Sequence, residues 1–267
     1  MVRWVTVLVV AGVSLAGCGK VSDSQSDASA SAGAGTVPSD GGAAGSAPSG
    51  AGATSCPPAL ASAAEIASTP RADTNLELLA LHLSPGRLVA DQATYGRLVR
   101  DITAIRRQYP QVADINYFAP SDGRSLSMTV DAATGNAMMN GTYHDWDCLN
   151  QTYGETNIQV LPGKDGSSVS LTLKGIYDIN LLTPLYKALS PEFSAFYGGP
   201  GGGDGSTICV TQQAANIWYY VFDRASGDCI AGCTQHEYQL FHTTDAGQVS
   251  YFDMSNDAAN YTQGCRQ

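Results

Sequence analysis

Four histidines, His82, His144, His236 and His242, are all the imidazole chemistry that the 267-residue chain offers. The densest local cluster is His144-Asp145-Trp146-Asp147, where a base beside two carboxylates could bind a cation or carry the acid and base steps of a hydrolase. A polar turn with Trp146 packed inward accounts for the same four residues. His236 and His242 fall on one face of a proposed strand, but six residues at about 3.3 Å each set them about 20 Å apart, too far to share a metal. His82 sits within an apolar run and reads as a hydrogen-bonded core histidine. No Gly-x-Ser-x-Gly elbow, His-Glu-x-x-His, P-loop or EF-hand loop occurs, so no catalytic residue, metal or cofactor is assigned. Cys229 and Cys233 are close enough to suggest zinc or redox chemistry. However, no Cys-x-x-Cys pair exists, three residues intervene, and no basic neighbour in the sequence would lower a thiol pKa. They read as a staple.

Composition narrows the partners. Fourteen Lys and Arg against 24 Asp and Glu make the formal charge −10, which disfavours nucleic acid and any basic docking to anionic lipid. Setting aside Arg3, Lys20, Asp23, Asp27 and Asp40 leaves −9 on residues 56–267. That charge is spread as single aspartates over many segments, as on a solvated surface.

One positive charge at Arg3 precedes an apolar run from Trp4 to Val13 and then Leu15-Ala16-Gly17-Cys18. The run is too short to span about 30 Å of hydrocarbon comfortably and has the layout of a secretory signal peptide. The four residues ending at Cys18 resemble the lipobox of bacterial lipoproteins. The resemblance implies that residues 1–17 are removed, that Cys18 receives a diacylglycerol, and that the new amino terminus is acylated, palmitate being the usual chain. Two or more chains suffice for stable anchoring in the cell envelope. Gly19, not Asp, follows the cysteine, which by the same resemblance favours the outer membrane. Residues 19–55 contain 26 Gly, Ala or Ser among 37 and no aromatic residue, a composition that cannot bury enough apolar surface to order. Residues 18–55 therefore read as lipidated cysteine and tether, with a reach of about 30 to 37 Å.

With Cys18 set aside, Cys56, Cys148, Cys209, Cys229, Cys233 and Cys265 remain as disulfide candidates in an exported chain, with fifteen possible connectivities. A bond from Cys56 or Cys265 would restrain one end of the folded part.

The elements that must position these groups are mixed. Glu77 to Leu83 reads as a buried strand. Tyr95, Leu98, Val99, Ile102 and Ile105 form a helical stripe that Asp91 can cap and Pro110 must end. Asp114–Phe118 and Ser125–Val130 read as strands, followed by an irregular or helical patch at His144–Tyr153. Ser168–Ile176 (strand), Leu181–Leu189 (helix), Glu192–Tyr197 and Thr207–Gln212 (strands) repeat the order, suggesting a duplicated βαββ unit. Ile217–Phe222, Gln235–His242 and Gln248–Asp253 form a C-terminal antiparallel meander. Its turn, Gly227-Asp228-Cys229-Ile230-Ala231-Gly232-Cys233, resembles a Gly-Asp-Cys-x-x-Gly-Cys hairpin of uncharacterised secreted bacterial proteins, which brings no activity with it.

The expectation is an α+β domain over residues 56–267, an antiparallel sheet with one or two packed helices, stapled by disulfides. The expected function is that of a membrane-anchored envelope lipoprotein without enzymatic activity, which binds a protein or glycan through its aromatic sheet or acidic surface. The alternative is a secreted hydrolase built around His144, Asp145 and Asp147.

Overall fold

A computed structural model describes residues 56–119, 121–189, 194–195, 205–214, 216–229 and 232–252. The elements run α1 (Ala63–Ala67), α2 (Thr74–His82), α3 (Gln92–Gln108), β1 (Ser125–Val130), α4 (Ala132–Met139), α5 (Asp147–Tyr153), β2 (Glu155–Pro162), β3 (Ser167–Leu173), α6 (Ile179–Leu189), β4 (Ser194–Ala195), β5 (Thr207–Ala214), β6 (Ile217–Ser226), β7 (Gln235–Thr244) and β8 (Val249–Phe252). Short polar side chains start four of the helices by accepting otherwise unpaired amides. Ser62 and Glu65 form a capping box on α1, and the amides of Leu76, Thr94 and Thr134 donate to Asp73, Asp91 and Asp131 at 3.0, 2.9 and 2.7 Å. Helix α3 follows the expected stripe from its Asp91 cap, buries Leu98, Ile102 and Ile105, and ends before Pro110.

The fold is α+β, with two four-stranded antiparallel sheets in the orders β2-β3-β1-β4 and β5-β6-β7-β8. Each sheet has its own core. Leu126, Met128, Val130, Val169 and Leu171 of the first sheet pack with Trp146 at the N-cap of α5, Leu149 and Tyr153 within α5, and Leu182 and Tyr186 of α6. Ile208, Trp218, Tyr220, Phe222 and Phe241 of the second sheet pack with Leu76, Leu79 and Ala80 of α2 and Leu98, Ile102 and Ile105 of α3. The opposite face of the second sheet buries Cys209, Val221 and Leu240. The expected meander is present as β6, β7 and β8, with hairpin registers such as Tyr220↔Phe241↔Tyr251.

The duplicated βαββ unit does not form. Glu77–Leu83 lies in α2 and its C-cap, not in a strand, because a short apolar run fits a buried helix as well as a strand, and the Asp73 cap decides. Asp114–Phe118 is irregular; Arg106 Nη2 donates to Ile115 O at 2.6 Å and the Phe118 amide to Thr207 Oγ1 at 3.0 Å, in place of a strand ladder. The second stretch divides: β3 and β4 join β1 in the first sheet, whereas β5 starts the second. Of the expected strand Glu192–Tyr197, only Ser194 and Ala195 are among the described residues, and they pair with β1. Strand β2, the edge of the first sheet, and helix α4 are not foreseen by the periodicity.

Disulfides join Cys56 to Cys148, with Cα atoms 5.9 Å apart, and Cys229 to Cys233. The first ties the start of the described chain to α5. Cys209, on β5, is disulfide-bonded too. Cys18, Cys265 and the signal and tether segments expected over residues 1–55 lie outside the described residues.

Candidate functional site

Among the described residues, charged side chains converge at a place that no motif in the sequence marks. Helix α3 carries Asp101 on its apolar stripe, fully buried, against the second sheet. Its Oδ1 accepts from Arg100 Nε at 2.8 Å; its Oδ2 accepts from Arg97 Nε at 2.8 Å, Tyr220 OH at 2.8 Å and Thr243 Oγ1. Tyr220 comes from β6 and Thr243 from β7, so one carboxylate joins a helix to two strands. Arg97 also pairs with Asp245 in the β7–β8 turn and lies over the Trp218 ring at 5.0 Å. Burial opposes the ionised form of Asp101, but the four donors outweigh it and hold the carboxyl below its ordinary range. Burial, with that carboxylate beside it, pushes the Tyr220 phenol upward. A carboxylate with both oxygens engaged and no access to solvent is closed to a substrate. It is a cross-link.

The histidine cluster is arranged as a polar turn. His144 Nδ1 lies 2.9 Å from Asp147 Oδ2, but the two side chains are 70% and 65% exposed, where water screens the pair. Asp145 is exposed and stands outside this pair. Trp146 is buried, edge-on to the rings of Tyr143 and Tyr186 at 5.2 and 5.4 Å. His82 is exposed in the last turn of α2, near the Tyr117 ring at 6.2 Å, and is not a core histidine. The correction follows from the helix replacing the strand: Leu76, Glu77, Leu79 and Ala80 make up the buried face, and at about 100° per residue His82 falls on the far side of the helix from its centre.

His236 and His242 do share a face of β7, the one that carries Val221 and Leu240. His242 packs on Phe252 at 4.7 Å and near Tyr219 at 6.0 Å. His236 has a different setting. Asp223, on β6 and buried, places Oδ1 and Oδ2 at 3.0 and 2.9 Å from His236 Nδ1, while His236 Nε2 lies 3.3 Å from the carbonyl oxygen of Cys233. The ring stacks on Tyr238 at 5.8 Å, nearly parallel. The expectation that no basic group neighbours the Cys229–Cys233 pair therefore fails at Cys233, whose carbonyl oxygen His236 faces. Strand β7 brings its second residue, His236, against the backbone carbonyl of Cys233. A sequence signal existed in the three-residue spacing Cys233-x-x-His236, but only the β6–β7 register supplies Asp223.

Among the described residues, no group of three or more His, Cys, Asp or Glu side chains could hold a metal ion. No helix among them is long and apolar enough to cross a membrane. No protein-family model, curated protein or solved structure matches the chain.

Proposed function

We propose that the protein is a lipid-anchored component of a bacterial cell envelope, held to the membrane through Cys18, that presents its α+β domain as a non-enzymatic binding module. The observation that carries the anchoring is Leu15-Ala16-Gly17-Cys18 behind a short basic and apolar leader. Two defined disulfide pairs agree with export to an oxidising compartment. By the residue after the cysteine, the membrane is the outer one. Globomycin treatment should cause the uncleaved precursor to accumulate, and Cys18→Ser should release the protein from the membrane fraction. Unchanged processing and attachment would end this reading.

A specific feature supports binding in place of hydrolysis. Asp101 and its donors, the convergence with the most charged groups described above, are consumed in joining α3 to the second sheet. At the edge of that sheet, β8 leaves Tyr251 and Phe252 48% and 41% exposed on opposite faces. An edge strand with an aromatic residue on each face suits an extended protein segment, since main-chain hydrogen bonds supply affinity and the rings supply grip. A photo-crosslinker in place of Phe252 should give one discrete protein adduct in cells, weakened by Tyr251→Ala. A glycan adduct would replace the protein partner by an envelope glycan, and no adduct at all would remove the docking edge.

A further inference from the structure

The geometry around the β6–β7 turn points to a thiol–disulfide exchange site: we propose that Cys229–Cys233 is a redox-active disulfide that reacts with thiols of other molecules, with His236 as its positioning residue. The two cysteines lie in the connection between β6 and β7 and are half-buried, so each keeps some exposure to solvent. Disulfide exchange runs through a thiolate leaving group, and a neighbouring cation makes that leaving group better. His236 supplies the cation. Its Nδ1 faces the Asp223 carboxylate at 2.9 and 3.0 Å and its Nε2 faces the Cys233 carbonyl at 3.3 Å. Carboxylate and carbonyl only accept, so the arrangement is satisfied by a proton on each nitrogen, the imidazolium form. Asp223, buried against Nδ1, stabilises the imidazolium form.

The other charges nearby give the two sulfurs different roles. Asp228 is the chain neighbour of Cys229 and disfavours negative charge there. Arg224 is directed to Asp114 at 2.7 and 2.8 Å, and Glu237, its cross-strand partner, is exposed. Cys233, beside His236, is therefore the leaving sulfur and Cys229 the attacked one. An incoming thiolate forms a bond to Cys229 Sγ, the Cys229–Cys233 bond breaks, and its electron pair leaves on Sγ of Cys233, the residue whose carbonyl oxygen the imidazolium faces. A second external thiolate then attacks the external sulfur of the mixed disulfide and releases Cys229 as thiolate. Two external thiols are oxidised to one disulfide, the protein disulfide is reduced to two thiols, and the two protons end on Cys229 and Cys233. The substrate class is an accessible thiol, on a small molecule or on another protein. The proposal does not depend on the lipid anchor.

The test uses the full-length protein, purified in detergent without reductant and exposed to dithiothreitol under native conditions. Free thiols are alkylated at intervals and located by peptide mapping. Cys229 and Cys233 should be labelled about tenfold faster than Cys56 and Cys148, the size of effect that a charged neighbour has on a leaving thiol. His236→Asn should remove about that factor, and His236→Lys, which restores a cation without restoring the ring, should recover part of it. Opening of Cys56–Cys148 as early as Cys229–Cys233 in the unmodified protein overturns the proposal, whether or not the variants fold. So does an unchanged rate in a folded His236→Asn variant, or equal rates for the Asn and Lys variants. Glutathione and an unfolded thiol-bearing protein as alternative reductants separate a small-molecule substrate from a protein one.

Discussion

Replacing Asp101 by Asn keeps the shape of the side chain and removes the charge that three elements share. The amide oxygen can take the place of Oδ2 and accept from Arg97, Tyr220 and Thr243, but the amide nitrogen then points its own donors at Arg100 Nε. Arg100 is 44% exposed and can turn to solvent; Arg97, at 13%, cannot, and is left without its buried counter-charge. Removing one member of a buried ion pair costs about 3–5 kcal/mol. The retained oxygen contacts place Asp101→Asn near the lower end, about 3 kcal/mol, or a fall in Tm of about 6–12 °C for a domain of this size. The assay is urea unfolding followed by circular dichroism, on wild-type and variant chains that also carry Cys18→Ser for solubility. The pH dependence has a definite sign. Because the folded carboxyl lies below its ordinary range, its contribution is complete above the unfolded value of about 3.9 and is lost as pH falls through the lower folded value. The gap between wild type and variant should hold from pH 7 to about 5 and close in stronger acid. A variant within about 0.5 kcal/mol of wild type at pH 7, or a gap that persists undiminished to pH 2, would refute the cross-link.

Other outcomes follow from single contacts. Gly135→Ala, inside α4, would ordinarily gain about 1 kcal/mol, but an added Cβ would fall 2.1 Å from Ser167 Oγ and 2.4 Å from Ser167 Cβ, so a loss of about 1–3 kcal/mol is expected in the same denaturation assay. Cys56→Ser with Cys148→Ser opens a bond of sequence separation 92, for which unfolded-chain entropy amounts to about 4–5 kcal/mol; a loss below about 1 kcal/mol would show that the bond constrains little. Cys209 is disulfide-bonded, and if Cys18 carries lipid as proposed, the cysteine count predicts Cys265 as its partner. Non-reducing peptide mapping should return a Cys209–Cys265 peptide, and a Cys18 disulfide in its place would sink both this pairing and the anchor.

Several elements were legible because local rules sufficed. Helix α3 has a cap at Asp91, a 3.6-residue stripe and a proline after it, and β6 to β8 alternate between turns rich in glycine. Glu77–Leu83 was illegible as a helix because its apolar residues surround the axis, and the amphipathic signal that distinguishes helix from strand was absent. Strand β2 was missed because it is an exposed edge whose residues are wet on both faces, so no alternation marks it. The Asp101 site left one local trace, a carboxylate on the apolar stripe between Leu98 and Ile102 with Arg97 four residues before it. Its other partners, Tyr220 and Thr243, lie more than a hundred residues away.

By itself, the sequence determined what depends on local composition and short motifs: the lipobox resemblance, the Gly, Ala and Ser tract, the acidic surface, the capped helix and the meander. The tertiary structure decided which groups meet. Strand register, not chain proximity, sets Asp223 against His236, and helix docking sets Asp101 against Tyr220 and Thr243. Such pairings are fixed by which apolar faces bury one another, and that choice is made by the whole chain at once.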